Sequence, residues 1–173
     1  MVVAVAAQDA KVAIIPKTDL QIAQEGVALR ADITARVAAG EIRPAVAFDQ
    51  VRAAHAPSGL KMEAKADFAL ATLDIGQRLI VVGKPAEAEE FFRVAEQTLS
   101  QVLDQTPDTR AREKAMYLQH RALLRGNYLN KVEEARNDLK QAVILSPEDK
   151  NLKIAATALE RVRPEHINDR IKP

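Results

Sequence analysis

Residues 71–103 read ATLDIGQRLIVVGKPAEAEEFFRVAEQTLSQVL, with Ala69 and Leu70 just before them. Gly76 precedes Leu79 by three residues and Gly83 by seven. That spacing puts Gly76 and Leu79 on one helical face, with Gly83 where a left-handed residue closes the helix. Pro85 suits the first position of a second helix, where its missing N–H forfeits no bond. Ala88, Phe92, Ala95, Leu99 and Val102 then recur at intervals of four, three, four and three, the period of one buried helical stripe. The two helices read as an antiparallel hairpin. Gly76, Ala88 and Ala95 let the backbones approach, and Leu79 and Phe92 fill the space beside them.

At these positions the hairpin resembles a tetratricopeptide repeat, a helix-turn-helix unit of roughly 34 residues that stacks into a superhelix. The family's small residue late in the first helix falls on Gly76, its following large residue on Leu79 and its inter-helix glycine on Gly83. Its small-large-small triplet in the second helix falls on Ala88, Phe92 and Ala95. Thr72 stands where an aromatic is common, Pro85 where a tyrosine is common, and the closing proline is delayed to Pro107. The delay implies a longer second helix and an irregular superhelix. The resemblance implies an all-α fold, a right-handed α-α superhelix of about three hairpins plus a C-terminal closing helix.

Composition agrees with helices. Of the 173 residues 47% are hydrophobic, many of them alanine, and only 3% are aromatic, which favours close-packed helices over a β-sandwich. Lys plus Arg number 25 against 24 for Asp plus Glu, so no basic field attracts nucleic acid or an anionic membrane. The absence of cysteine removes disulfides, thiolate nucleophiles and cysteine-bound metal. No apolar run approaches the roughly 20 residues of a membrane span. The opening MVVAVAAQDA reads either as the tail of a trimmed export signal, with Val5 and Ala7 at a cleavage site, or as an ordinary N-terminal arm. It lacks a basic n-region and its apolar run is short. The compartment stays open between cytoplasmic and periplasmic or secreted.

Residues 1–17 carry Val2, Val3, Val5, Val12, Ile14 and Ile15 and end at Pro16; they read as an extended arm lying along the helices or pairing with another chain. Thr18 and Gln21 form a capping box that opens a helix over about 18–39, with Leu20, Ala23, Val27, Ala31, Thr34 and Ala38 inward and Gly40 closing it. Pro44 opens its partner, with Ala47, Phe48, Val51 and Ala54 inward, up to the turn Pro57-Ser58-Gly59. Over about 60–82 one apolar side is marked by Leu70, Leu73 and Ile80 and another by Ile75, Leu79 and Val82, so this helix is expected to be covered on more than one face.

Past the central hairpin, Thr106 and Pro107 read as cap and first residue of a helix carrying Ala111, Ala115, Leu118 and Ala122, ended by Gly126. Over 131–145, Val132, Ala135, Leu139 and Ala142 repeat the small-large-small triplet, and Pro147 closes it on schedule. The connection GNYLNKVEE is four residues longer than its counterpart after Gly83, a place to look for function. Ser146-Pro147-Glu148-Asp149 reads as a helix start, with Ser146 as cap, Pro147 in first position and two acids. The last helix it opens buries Leu152, Ala155, Ala156, Leu159 and Val162 and shows Lys150, Asn151, Lys153, Glu160 and Arg161 to water, as suits the end of a solenoid. The expected organisation is an arm at 1–17, a repeat domain at 18–163 and a mobile tail at 164–173.

Chemistry-bearing constellations are weak. His55, His120 and His166 fall in separate segments without acidic partners at metal-ligand spacing, so no metal or cofactor is expected. Glu87, Glu89 and Glu90, like Glu133 and Glu134, stand at helix starts, where the dipole explains them without catalysis. No phosphate-binding glycine motif occurs, and Ser58, Ser100 and Ser146 lack a nucleophile elbow.

The resemblance implies a concave surface lined by the first helix of each hairpin. Carried over by register, its positions are Val27, Arg30 and Thr34, then Leu70, Leu73, Gln77 and Ile80, then Glu113, Met116, His120 and Leu123. The expected partner-binding residues are Arg30, Thr34, Leu70, Leu73, Gln77, Met116, His120 and Leu123, for a protein or peptide partner. Leu73, Gln77, Glu113 and Tyr117 do not supply the lysine, arginine and asparagine clamp with which some family members hold a terminal carboxylate. The apolar positions read also as inter-repeat core, since helical-period stripes are more often core than site. Gln77 and His120 stand out as polar groups on an otherwise apolar face. The leading expectation is a non-enzymatic interaction or assembly scaffold. The alternatives are a self-associating subunit joined through residues 1–17 and, with least support, an α-helical enzyme.

Overall fold

The computed structural model describes residues 19–55 and 62–161. Among them all regular elements are helices and no strand occurs: α1 (Asp19–Ala38), α2 (Pro44–His55), α3 (Met62–Val81), α4 (Pro85–Gln105), α5 (Ala111–Asn127), α6 (Val132–Leu145) and α7 (Lys150–Glu160), with a single 3-10 turn at Asp108–Arg110. The arm at 1–17, the capping residue Thr18, the turn at 57–59, Val162, His166 and the tail from 164 lie outside the described residues.

The most extensive packing joins α3 to α4, and the next α5 to α6. Gly76 shows why the first pair is so close. A Cβ there would stand 2.5 Å from Phe92 Cε1, so only hydrogen fits against the ring. Phe92 is buried with Leu79, Ala88, Ala95, Leu99 and Val102, and its ring stacks on Tyr128 with centroids 4.2 Å apart and planes 16° apart. Burying such a side chain stabilises by about 1.5–3 kcal/mol, and an aromatic pair adds about 1 kcal/mol. Gly83, at φ +77°, closes α3. Its N–H donates to Ile80 O at 3.1 Å and Lys84 N–H donates to Leu79 O at 2.8 Å, satisfying carbonyls that the helix end leaves open. Gly40, at φ +73°, closes α1 in the same way.

α1 packs on α3 more than on its sequence neighbour α2, and α3 touches α5. The first helices of successive pairs are therefore neighbours. α7 packs on α6, with Leu152 buried, Ala155, Ala156 and Leu159 half-buried, and Lys150, Asn151, Lys153, Glu160 and Arg161 exposed.

Several local readings need correction. The buried stripe of α1 is Ile33 and Val37, while Ala31 is exposed and Thr34 and Ala38 half-buried. Two β-branched side chains remove more apolar area from water than alanines do, so they turn toward α3. Ala54 is exposed, as are Ile80 and Val82 near the end of α3, so that end of α3 is not covered all round. Pro107 precedes the 3-10 turn, with ψ 154°, and α5 starts only at Ala111; the Thr106 hydroxyl donates back to Val102 O at 2.7 Å instead of capping forward.

Gly126 does not end α5. It lies inside the helix, buried against Leu159 and Ala135, and Asn130, at φ 54°, takes the left-handed position while Lys131 N–H donates to Arg125 O at 2.9 Å. The cap of α7 is Asp149, not Ser146: its Oδ1 accepts from Asn151 N at 2.8 Å and Leu152 N at 3.2 Å. The Ser146 hydroxyl is engaged by Glu148 at 2.8 Å.

Candidate functional site

The expected residues Arg30 on α1 and His120 on α5 are brought together by a residue that the sequence reading passed over, Asp74 on α3. Arg30 Nε lies 3.2 Å from Asp74 Oδ2, with side chains 28% and 39% exposed. His120 interacts electrostatically with both Asp74 and Arg30. Burial raises the Asp74 carboxyl above its usual range, and the attraction of Arg30 and His120 reduces that rise without cancelling it. Burial also holds the His120 imidazole below its ordinary value; Asp74 pulls it up and Arg30 pushes it down. At neutral pH this face therefore carries one exposed ion pair beside a neutral imidazole able both to donate and to accept. A half-exposed pair of this kind contributes about 0–1 kcal/mol to stability, so its geometry is cheap to rearrange around a ligand.

The other expected residues frame this cluster unequally. Leu70 and Gln77, one turn to either side of Asp74 on α3, are half-buried. Leu73 is only 3% exposed; it belongs to the core and has no surface to offer. Met116 and Leu123, one turn to either side of His120 on α5, are 40% and 39% exposed. Thr34 sits one turn beyond Arg30, and its Oγ1 is buried without a hydrogen-bond partner among the described residues, an omission costing about 1–3 kcal/mol. Ile80 is exposed and Glu113 half-buried. Met116 also lines a separate cleft of about 420 Å³ against the turn before α7, with Arg112, Gln119, Glu148 and Leu152.

A second polar cluster, equally unforeseen, ties α4, α5 and α6 together. Asp138 accepts from Arg121 Nε at 2.9 Å, Arg121 Nη2 at 2.6 Å and Arg125 Nη1 at 2.9 Å. Arg121 Nη1 also reaches Ser100 Oγ at 3.0 Å. Glu96 accepts from Arg125 Nε at 2.8 Å and Lys131 Nζ at 2.7 Å. Burial alone would raise Glu96, but those hydrogen bonds outweigh it and hold its carboxyl below the usual range. Every charge here has a partner, and none of the cluster's residues lines the cleft against the turn before α7, so it reads as an internal fastening. The long connection after α5 is absorbed by the same region: Tyr128 stacks on Phe92 and Lys131 pairs with Glu96.

Comparison with protein-family models, with curated proteins and with solved structures finds no match for this chain. Among the described residues no group of three or more His, Cys, Asp or Glu is placed to hold a metal ion, and no helix is long and apolar enough to cross a membrane.

Proposed function

We propose that the chain is a short tetratricopeptide-like stack that works without catalysis, holding a peptide or helix of a partner protein on the face shared by α1, α3 and α5. The observation that carries this reading is the Arg30, Asp74 and His120 cluster, drawn from the first helix of three successive pairs and interacting across them. With Gln77 half-buried and Met116 and Leu123 in water beside it, the face mixes a few orienting polar groups with apolar area, the composition that peptide grooves use. Its helices are already in place, so binding costs little ordering entropy.

Affinity capture of a partner on the immobilised protein, repeated with Gln77→Ala plus His120→Ala, tests the proposal, with circular dichroism to show that the variant is folded. Loss of the captured partner supports it, and unchanged capture by the folded variant removes this face from consideration.

A further inference from the structure

A different surface carries the second proposal. Residues from the first turns of α2 and α4 line a cleft of about 370 Å³, room for one or two side chains. Its floor is aromatic: Phe48 and Phe91 meet edge to face, centroids 5.4 Å apart and planes at 84°. Its rim is acidic, with Asp49 from α2 and Glu87 and Glu90 from α4, and among the described residues no lysine or arginine lines it. Asp49 is paired with Arg52 at 2.8 Å and Glu87 with Lys84 at 3.1 Å, both highly exposed, whereas Glu90 makes no ion pair among the described residues. Exposed pairs within one helix turn yield readily to a competing cation. The protein already uses this ring as a platform for a guanidinium, because Arg52 Cζ stands 5.8 Å from the Phe48 centroid.

We propose that this cleft docks an arginine side chain of a partner protein, separate from whatever occupies the α1, α3 and α5 face. A planar guanidinium stacks on an aromatic ring and bonds carboxylates in a fork, which an ammonium does not do. The apolar stem of the arginine covers the exposed part of the Phe48 and Phe91 floor, and Glu90 supplies the unpaired charge.

The test titrates the isotopically labelled full chain with N-acetyl-Gly-Arg-Gly-amide and follows backbone amide shifts. The control peptide carries citrulline, which keeps the shape and removes the charge. Shifts confined to the first turns of α2 and α4, and binding weaker by about tenfold for citrulline, support the proposal. Asp49→Asn plus Glu90→Gln should weaken binding about fivefold, while Asp104→Asn plus Glu134→Gln, which removes the same charge from exposed positions outside the cleft, should change it less than about twofold. Equal binding of citrulline, equal losses in the two double variants, or no shifts at these turns would overturn it. Gln77→Ala plus His120→Ala leaves this titration unchanged, so its failure is distinct from failure of the partner-binding face.

Discussion

Replacing Gly76 by alanine puts a methyl group where the Phe92 ring already lies. The new carbon would stand 2.5, 2.8 and 3.1 Å from Cε1, Cδ1 and Cζ of that ring, all well inside van der Waals contact. The ring is held in place, since Phe92 is buried and stacked on Tyr128. Overpacking of this kind costs about 1–3 kcal/mol, and the held ring argues for the upper half of that range. Alanine in a helix interior returns about 1 kcal/mol over glycine. The net expectation is a loss of about 1–2 kcal/mol, or a fall in Tm of about 3–6 °C for a domain of this size. Gly126→Ala is the matched comparison. There the added carbon would meet Leu159 Cδ1 at 3.4 Å and Ala135 Cβ at 3.5 Å, ordinary contact, so propensity decides and stability is unchanged or higher by up to about 1 kcal/mol. Urea unfolding followed by circular dichroism reads both, and Phe92→Leu should relieve the Gly76→Ala penalty by making room. The reasoning fails if Gly76→Ala is as stable as the parent, or if the two glycine variants shift alike.

The internal fastening and the partner-binding face give two further expectations. Asp138, its side chain 4% exposed, faces two guanidinium groups, so Asp138→Ala leaves Arg121 without a carboxylate and Arg125 with Glu96 alone and should cost about 3 kcal/mol in urea unfolding; a loss below about 1 kcal/mol, the scale of a surface pair, would contradict the assignment. His120 is held below its ordinary 6.5 by burial, with Asp74 and Arg30 acting in opposite directions. Just below 6.5 the unfolded chain therefore binds more protons than the folded one, and stability falls as pH drops through that value. The urea midpoint should decline between about pH 7.5 and about 5.5 more steeply in the parent than in His120→Gln; equal declines, or an imidazole proton resonance titrating at or above 6.5, would contradict it.

The α3 and α4 pair was legible because its signal is steric. Gly76, Leu79, Ala88, Phe92 and Ala95 alternate small and large at helical spacing, and all five are buried. The α1 stripe was misread because alanine is compatible with core and surface alike; Ile33 and Val37, four apart and larger, were the better guide. Helix ends were missed where two local chemistries compete: Ser146 and Asp149 both suit a cap, and the carboxylate that reaches two N–H groups takes it.

Charge was the least legible feature. Arg30 and His120 could be placed by register, but Asp74 was given no role. Its position, four after Leu70 and three before Gln77, put it on the same stripe and was the available signal. Asp138, between Ala135 and Ala142 on the inward face of α6, was marked in the same way. Its partners Arg121 and Arg125, four apart on α5, carried no signal of their own, because a buried ionic group shows itself only when the elements around it are placed together.

Hydrogen exchange on the complex with the captured partner reads the central claim most directly. Slowed exchange concentrated in α1, α3 and α5, including the turns holding Arg30, Asp74 and His120, is the predicted footprint. Slowing confined to α2, α4 and α6, with those three turns exchanging as in the free protein, would contradict it.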